Sequence, residues 1–169
     1  MPLNVLSVML FAGVLVQPFR IAEAEPGHHQ GSLRVDMSQD GRFAVAWLDS
    51  LEVDEDSCSL FIRFFEKDGI PLTEPYRIEK TDDTVGLYHP CIEMDSVGNT
   101  YLAWVDNRTQ SSEKLSHLRY QRFDRNGNPL GSAKTLVDDI YHKGNSRALD
   151  LSVADNGDFV IAWCQGVII

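Results

Sequence analysis

From Val35 onward the chain is written in short runs of period two, broken at close intervals by Gly, Pro, Asn and Asp. No stretch of this region carries the 3.6-residue period of an amphipathic helix. The runs fall around Val35–Met37, Phe43–Leu48, Leu60–Phe65 and Tyr76–Ile78, then around Ile92–Met94, Thr100–Val105, Leu118–Phe123 and Lys134–Val137. Each predicts a strand. In Phe43–Leu48, alternation puts Phe43, Val45 and Trp47 on one face and Ala44, Ala46 and Leu48 on the other. Both faces are apolar, whereas a sheet with one wet face alternates apolar with polar, so this strand is expected to be covered on both sides.

The runs repeat. Gly41 lies 57 residues before Gly98, which lies 59 before Gly157, and Trp47, Trp104 and Trp163 each follow their glycine by six. Val35 and Met37 match Ile92 and Met94, then Leu151 and Val153; Ala46, Ala103 and Ala162 precede the three tryptophans. That constant small residue implies a close sheet-to-sheet approach with room for a large partner, of which a neighbouring tryptophan is the obvious one. The second half of the unit recurs as well: Phe65, Gly69, Pro71 and Leu72 pair with Phe123, Gly127, Pro129 and Leu130 at an offset of 58. Asp68-Gly69 and Asn126-Gly127 suit positive φ at both central turn positions, the demand of a two-residue hairpin. The prolines that follow belong at a strand start or edge, because they cannot donate to a ladder. Four short strands joined by tight turns make an antiparallel meander, and a repeated four-stranded meander is the unit of a β-propeller blade.

The pattern Asp-x-x-Gly-x-x-x-x-Ala-Trp-x-Asp, followed by a segment such as "LRYQRFDRNGNPLG" (Leu118–Gly131), resembles the long blade repeats of exported bacterial β-propellers grouped loosely with sialidase-like propellers. The resemblance spans nearly everything after residue 24 and implies an all-β fold of antiparallel four-stranded meanders, an incomplete propeller of about two and a third blades. Residues 32–89 form the first repeat, 90–148 the second and 149–169 part of a third, with 25–31 expected to be a flexible N-terminal stretch. At about 58 residues per blade, a four-bladed ring needs more chain than is present. The expectation is a truncated reading frame or an assembly with other chains through unpaired blade edges.

Ahead of the repeats, Leu3–Val16 is an apolar run of secretory length followed by Ala22-Glu23-Ala24, so residues 1–24 read as a cleaved signal peptide and the mature chain as starting near Glu25. The run is too short for a comfortable membrane span, and no cysteine lies near the cut to accept a lipid. A secreted, periplasmic or cell-surface location follows. Removing the signal takes away one Arg and one Glu, and the net charge stays at −10. That excess of acid, with no basic cluster, argues against nucleic acid and anionic membrane as partners and leaves neutral glycans, proteins and cations open. Cys58, Cys91 and Cys164 match no metal-ligand spacing; export permits one disulfide, whose pairing stays open. Cys164 fills the slot of Leu48 and Val105, that of a small core residue.

Candidate chemistry is thin. Tyr76–Glu79 superficially resembles the aromatic-Arg-Ile-Pro motif of sialidases, but Glu79 stands where that motif has proline, and Arg77 reads as an exposed strand arginine. The acidic run Glu52–Asp56 has no acidic counterpart in Asn107–Lys114, so both read as variable surface. Asp155–Asp158 and Asp124–Asn128 are oxygen-rich enough to suggest calcium, but Asp, Asn and Gly are also what tight turns use. His28 and His29 fall in the flexible stretch, and His89, His117 and His142 are scattered. Asn107-Arg108-Thr109 fits a glycosylation sequon, and Asp49 and Asp106 read as strand-end residues bonding turn amides. With no catalytic, cofactor or metal residue assigned, the expectation is a non-catalytic exported repeat module, a fragment, that binds a glycan or protein; the alternative is a fragment of a sialidase-like glycoside hydrolase.

Overall fold

Each glycine that precedes a tryptophan closes a turn of one type. In the computed structural model, which describes residues 7–8, 19–51, 54–80, 85–108, 115–141 and 149–164, Gly41, Gly98 and Gly157 have φ of 88°, 93° and 84°. Their amides return to Ser38, Asp95 and Ala154 O at 3.0, 3.0 and 2.9 Å. The hairpins at Gly69 and Gly127 repeat this geometry, with only the glycine at positive φ. Asp68 and Asn126 therefore do not take the positive φ that a two-residue hairpin needs. The turn is a three-residue loop in which a type I turn is followed by a left-handed glycine. The strand pairing ends beyond it in the isolated bridges Phe65 to Pro71 and Phe123 to Pro129, where the missing proline N–H costs nothing.

The strands are β1 (Ser7–Val8), β2 (Phe19–Arg20), β3 (His28–Met37), β4 (Phe43–Leu51), β5 (Asp54–Phe65), β6 (Tyr76–Lys80), β7 (Val85–Met94), β8 (Thr100–Arg108), β9 (Leu115–Phe123), β10 (Lys134–Tyr141), β11 (Leu149–Val153) and β12 (Phe159–Trp163). They pair as antiparallel meanders β3-β4-β5-β6 and β7-β8-β9-β10 and as the hairpin β11-β12, with β1 against β2. The fold is all-β, two four-stranded blades and the inner half of a third. The innermost strands β3, β7 and β11 lie side by side, as strands around a propeller axis do. The sheets begin at His28 and Val85, so the boundaries expected at 32 and 90 move toward the N-terminus. The stretch 25–31 is not a free tail: His28–Gly31 pair with Leu48–Leu51.

Core formation follows the two apolar faces of the tryptophan strands. Ala44 and Ala46 of the first blade share one cluster with Leu102 and Trp104 of the second. At the next junction Tyr101 and Ala103 pack on Leu151 and Ile161, while Trp163 stays 40% exposed, so the alanine-to-tryptophan contact is made once. Opposite each buried tryptophan the innermost strand bulges: Ser32 and Leu33 face Trp47, and His89 and Pro90 face Trp104. Ser32 and His89 both have φ of 50°, a left-handed backbone unusual outside glycine. The first junction also carries a buried polar latch. Glu79 of β6 accepts the Trp104 indole N–H at 3.2 Å and bonds Arg119, whose guanidinium sits 5.6 Å from the Trp104 ring and 3.5 Å from Asp106.

No disulfide joins the cysteines. Burial pushes the Cys58 and Cys91 thiols up to about 11, and Cys91 donates to Leu149 O at 2.9 Å across the second junction. Among the described residues no helix is long and apolar enough to cross a membrane. The apolar run Leu3–Val16, the sequon, most of the loop Asn107–Lys114, Glu52, His142 and Gly166–Ile169 lie largely or wholly outside the described residues.

Two outcomes are expected. Ala46→Leu forces extra methylenes between two sheets and costs about 1–3 kcal/mol in urea unfolding, whereas the same change at exposed Ala162 costs less than about 0.5 kcal/mol. In a thiol titration of the native protein at pH 8, Cys164 reacts quickly and Cys58 and Cys91 react only after denaturant is added.

Candidate functional site

The two ends of the blades differ. One end carries the five glycine turns, and there Asp95 and Asp124 spend their carboxylates on the turns: Asp95 accepts from the amides of Val97 and Asn99 at 3.1 and 2.8 Å, Asp124 from those of Asn126 and Asn128 at 2.8 and 2.9 Å. The bonds to Asn128 hold the Asp124 carboxyl below its usual range. These oxygens serve as turn acceptors, and among the described residues no group of three or more His, Cys, Asp or Glu could hold a metal ion. In the Asp124–Asn128 loop the oxygens are thus engaged in the turn itself.

At the other end, where β4 leads to β5 and β6 to β7, an open cleft of about 530 Å³ separates the first two blades. Its walls are His29, Gly31 and Ser32 of β3, Leu48, Ser50 and Leu51 of β4, Cys58 of β5, and Leu87 and Tyr88 of β7. Ser32 is a residue of the β3 bulge, and Tyr88 is the last paired residue before the bulge of β7. Tyr88 folds back over Gly86, so that a methyl group at Gly86 would fall on the phenol ring, and glycine is the residue that lets the ring lie flat. Beside the cleft, Asp49 accepts from Gln30 Nε2 at 3.1 Å and bonds His28 Nδ1. His28 is thus an ordered strand residue. Asp49 is not a turn-amide acceptor as expected, because it serves the His28 imidazole and the Gln30 amide of the neighbouring strand, and Asp106 lies 3.5 Å from the Arg119 guanidinium.

Carboxylates gather on the innermost strands. Arg34, Cys91 and Asp150 stand opposite Ala46, Ala103 and Ala162, and Asp36 and Glu93 opposite Ala44 and Tyr101. Asp36 Oδ2 accepts the Met94 amide at 2.7 Å and ties β3 to β7. Glu93 is shifted upward, first by burial and then by the charges of Asp36 and Asp150. Arg77 is an exposed residue of β6 opposite Phe61, away from this group. His117 pairs with Asp138 at 3.0 Å on the outer strands. The inner-strand carboxylates had one trace in the sequence, the variable positions 34, 36, 91, 93 and 150 between apolar neighbours, and the cleft had none.

No family model matches the chain, and no curated protein matches it in sequence. Among solved structures it is similar to an endo-arabinase from Bacteroides thetaiotaomicron VPI-5482, at 11% identity and a TM-score of 0.47. The likeness covers 86% of this chain and 56% of that one, so the chain spans little more than half the length of the structure it matches. A likeness this distant transfers neither substrate nor catalytic residues.

Proposed function

We propose that the chain is a non-catalytic, exported β-propeller module that holds a neutral glycan in the cleft between its first two blades. The lining of the cleft carries this reading: it combines an aromatic ring and three leucines, Tyr88 with Leu48, Leu51 and Leu87, with the polar groups of His29, Ser32 and Ser50. A sugar ring has the same two characters, a C–H face for the apolar wall and hydroxyls for the polar one. The net charge of −10 adds a bias against anionic ligands. Cys58 at the cleft floor, pushed up to about 11, is a poor nucleophile there.

The test is binding of purified protein to an array of neutral oligosaccharides. Tyr88→Ala, and Gly86→Ala through displacement of the same ring, each weaken binding at least about tenfold in calorimetry, while the far-ultraviolet spectrum is unchanged. Full affinity in both variants would remove the cleft from consideration.

A second reading, glycoside hydrolysis, is favoured by Glu93. Paired carboxyl groups in contrasting environments are what acid and base roles require, and Glu93 is raised by burial and by Asp36 and Asp150. Release of nitrophenol from an aryl-glycoside panel, lost in Glu93→Gln, would establish this reading over the first. The shift also fixes a sign for stability. A carboxyl whose folded value is raised binds its proton more tightly in the fold, so its contribution is full below the unfolded value of about 4.5 and is lost as pH rises through the folded value. Glu93→Gln therefore melts higher than the parent at pH 7, and the gap closes at pH 4.

A further inference from the structure

Among the described residues no blade stands in front of the first blade's tryptophan face, built from Phe43, Val45, Trp47 and Phe65. Phe19, Ile21 and Ala22 pack on it instead, with Ile21 fully buried. This segment copies what a preceding blade does at the internal junction. Phe64 of the first blade meets Phe123 of the second at 5.4 Å and 52°, and Phe19 meets Phe65, the equivalent of Phe123, at 5.6 Å and 50°. A Cβ at Gly127 would lie 2.6 Å from Phe64, and one at the equivalent Gly69 would lie 2.7 Å from Phe19. Arg63 secures the segment by donating to Ile21 O at 2.5 Å.

The copy is incomplete. Trp104 donates its indole N–H to Glu79 of the preceding blade, whereas the Trp47 Nε1, on a side chain 1% exposed, has no acceptor among the described residues. In place of the arginine that accompanies Trp104, Phe61 stacks on Trp47 at 5.5 Å and 12°. Among the described residues the complementary surface is exposed on β12. Val160 and Ala162 occupy the positions of Ala44 and Ala46, the face that packs on a tryptophan face at the first junction, and Val160 is 65% exposed.

We infer that the Trp47 face is a blade-docking surface for the Val160–Ala162 face of a second copy of this chain, and that Phe19–Ala22 occupies it until residues 1–24 are removed. The inference rests on the leader reading of those residues and is independent of the glycan cleft. Contacts made by unlike surfaces are heterologous and lead to closed rings or to open filaments. While the segment is present, the precursor is kept from assembling.

The experiment compares the full chain with a chain beginning at Glu25 by light scattering over a wide concentration range. The full chain stays monomeric, and the shortened chain at least doubles its mass as concentration rises. Ala162→Asp in the shortened chain returns it to monomer, as does an excess of a peptide spanning Gln17–Pro26. Should the shortened chain lose its β-sheet spectrum, the full chain with Phe19→Asp and Ile21→Asp replaces it, with the same masses expected. A folded shortened or substituted chain that remains monomeric throughout, or assembly that Ala162→Asp leaves intact, overturns the inference.

Discussion

Packing of a small-residue face on a tryptophan face is the constraint from which the rest of this fold descends. Stacked sheets sit about 10 Å apart, and an indole fills that gap only if the facing sheet contributes almost nothing but backbone. Ala44 and Ala46 supply such a face to Trp104. The bulge opposite each buried tryptophan belongs to the same requirement, because two residues of the inner strand are spread across the width of one large side chain. So does the latch: once the indole is buried its N–H needs an acceptor, and Glu79 reaches across the junction to supply one. Arg119 then balances the half-buried Glu79 carboxylate, and Asp106 lies beside it. Removing Glu79 would take the acceptor from the buried Trp104 N–H, which is why the network ties the blades in one register.

Repetition made the architecture legible. Glycine six residues before tryptophan, alanine immediately before it, and the Asp-Gly or Asn-Gly turns with their prolines all report local backbone needs, and local needs leave marks at fixed spacing. Strand order and the double-sided burial of Phe43–Leu48 follow from them. Turn type is not legible in the same way, because Asp-Gly satisfies two hairpin geometries and the register of the flanking strands chooses between them.

What stayed hidden depends on distances between repeats. Glu79 looks in sequence like a departure from a motif, and nothing near it announces an indole 25 residues further along the chain in another blade. Ser32 and His89 are ordinary residues for a strand, and the left-handed backbone they share is imposed by the tryptophan opposite. His28 and Asp49 are 21 positions apart and meet because β3 begins earlier than its apolar pattern does. The cleft is the extreme case, since its walls come from four strands of two blades and each residue has an unremarkable reading alone.

The contrast between the two ends of the blades has a consequence for how such a molecule can be altered. On the turn end, left-handed glycines and committed aspartates leave no slack, and a change in length there would shift the register of a whole blade. On the cleft end, the link from β4 to β5 runs from Leu51 to Asp54 in the first blade, while its counterpart runs from Arg108 to Leu115 in the second. The same sheets tolerate both. One rim is therefore a chassis and the other a socket, into which loops of new length and chemistry can be grafted while the alanine and tryptophan faces continue to hold the blades in place.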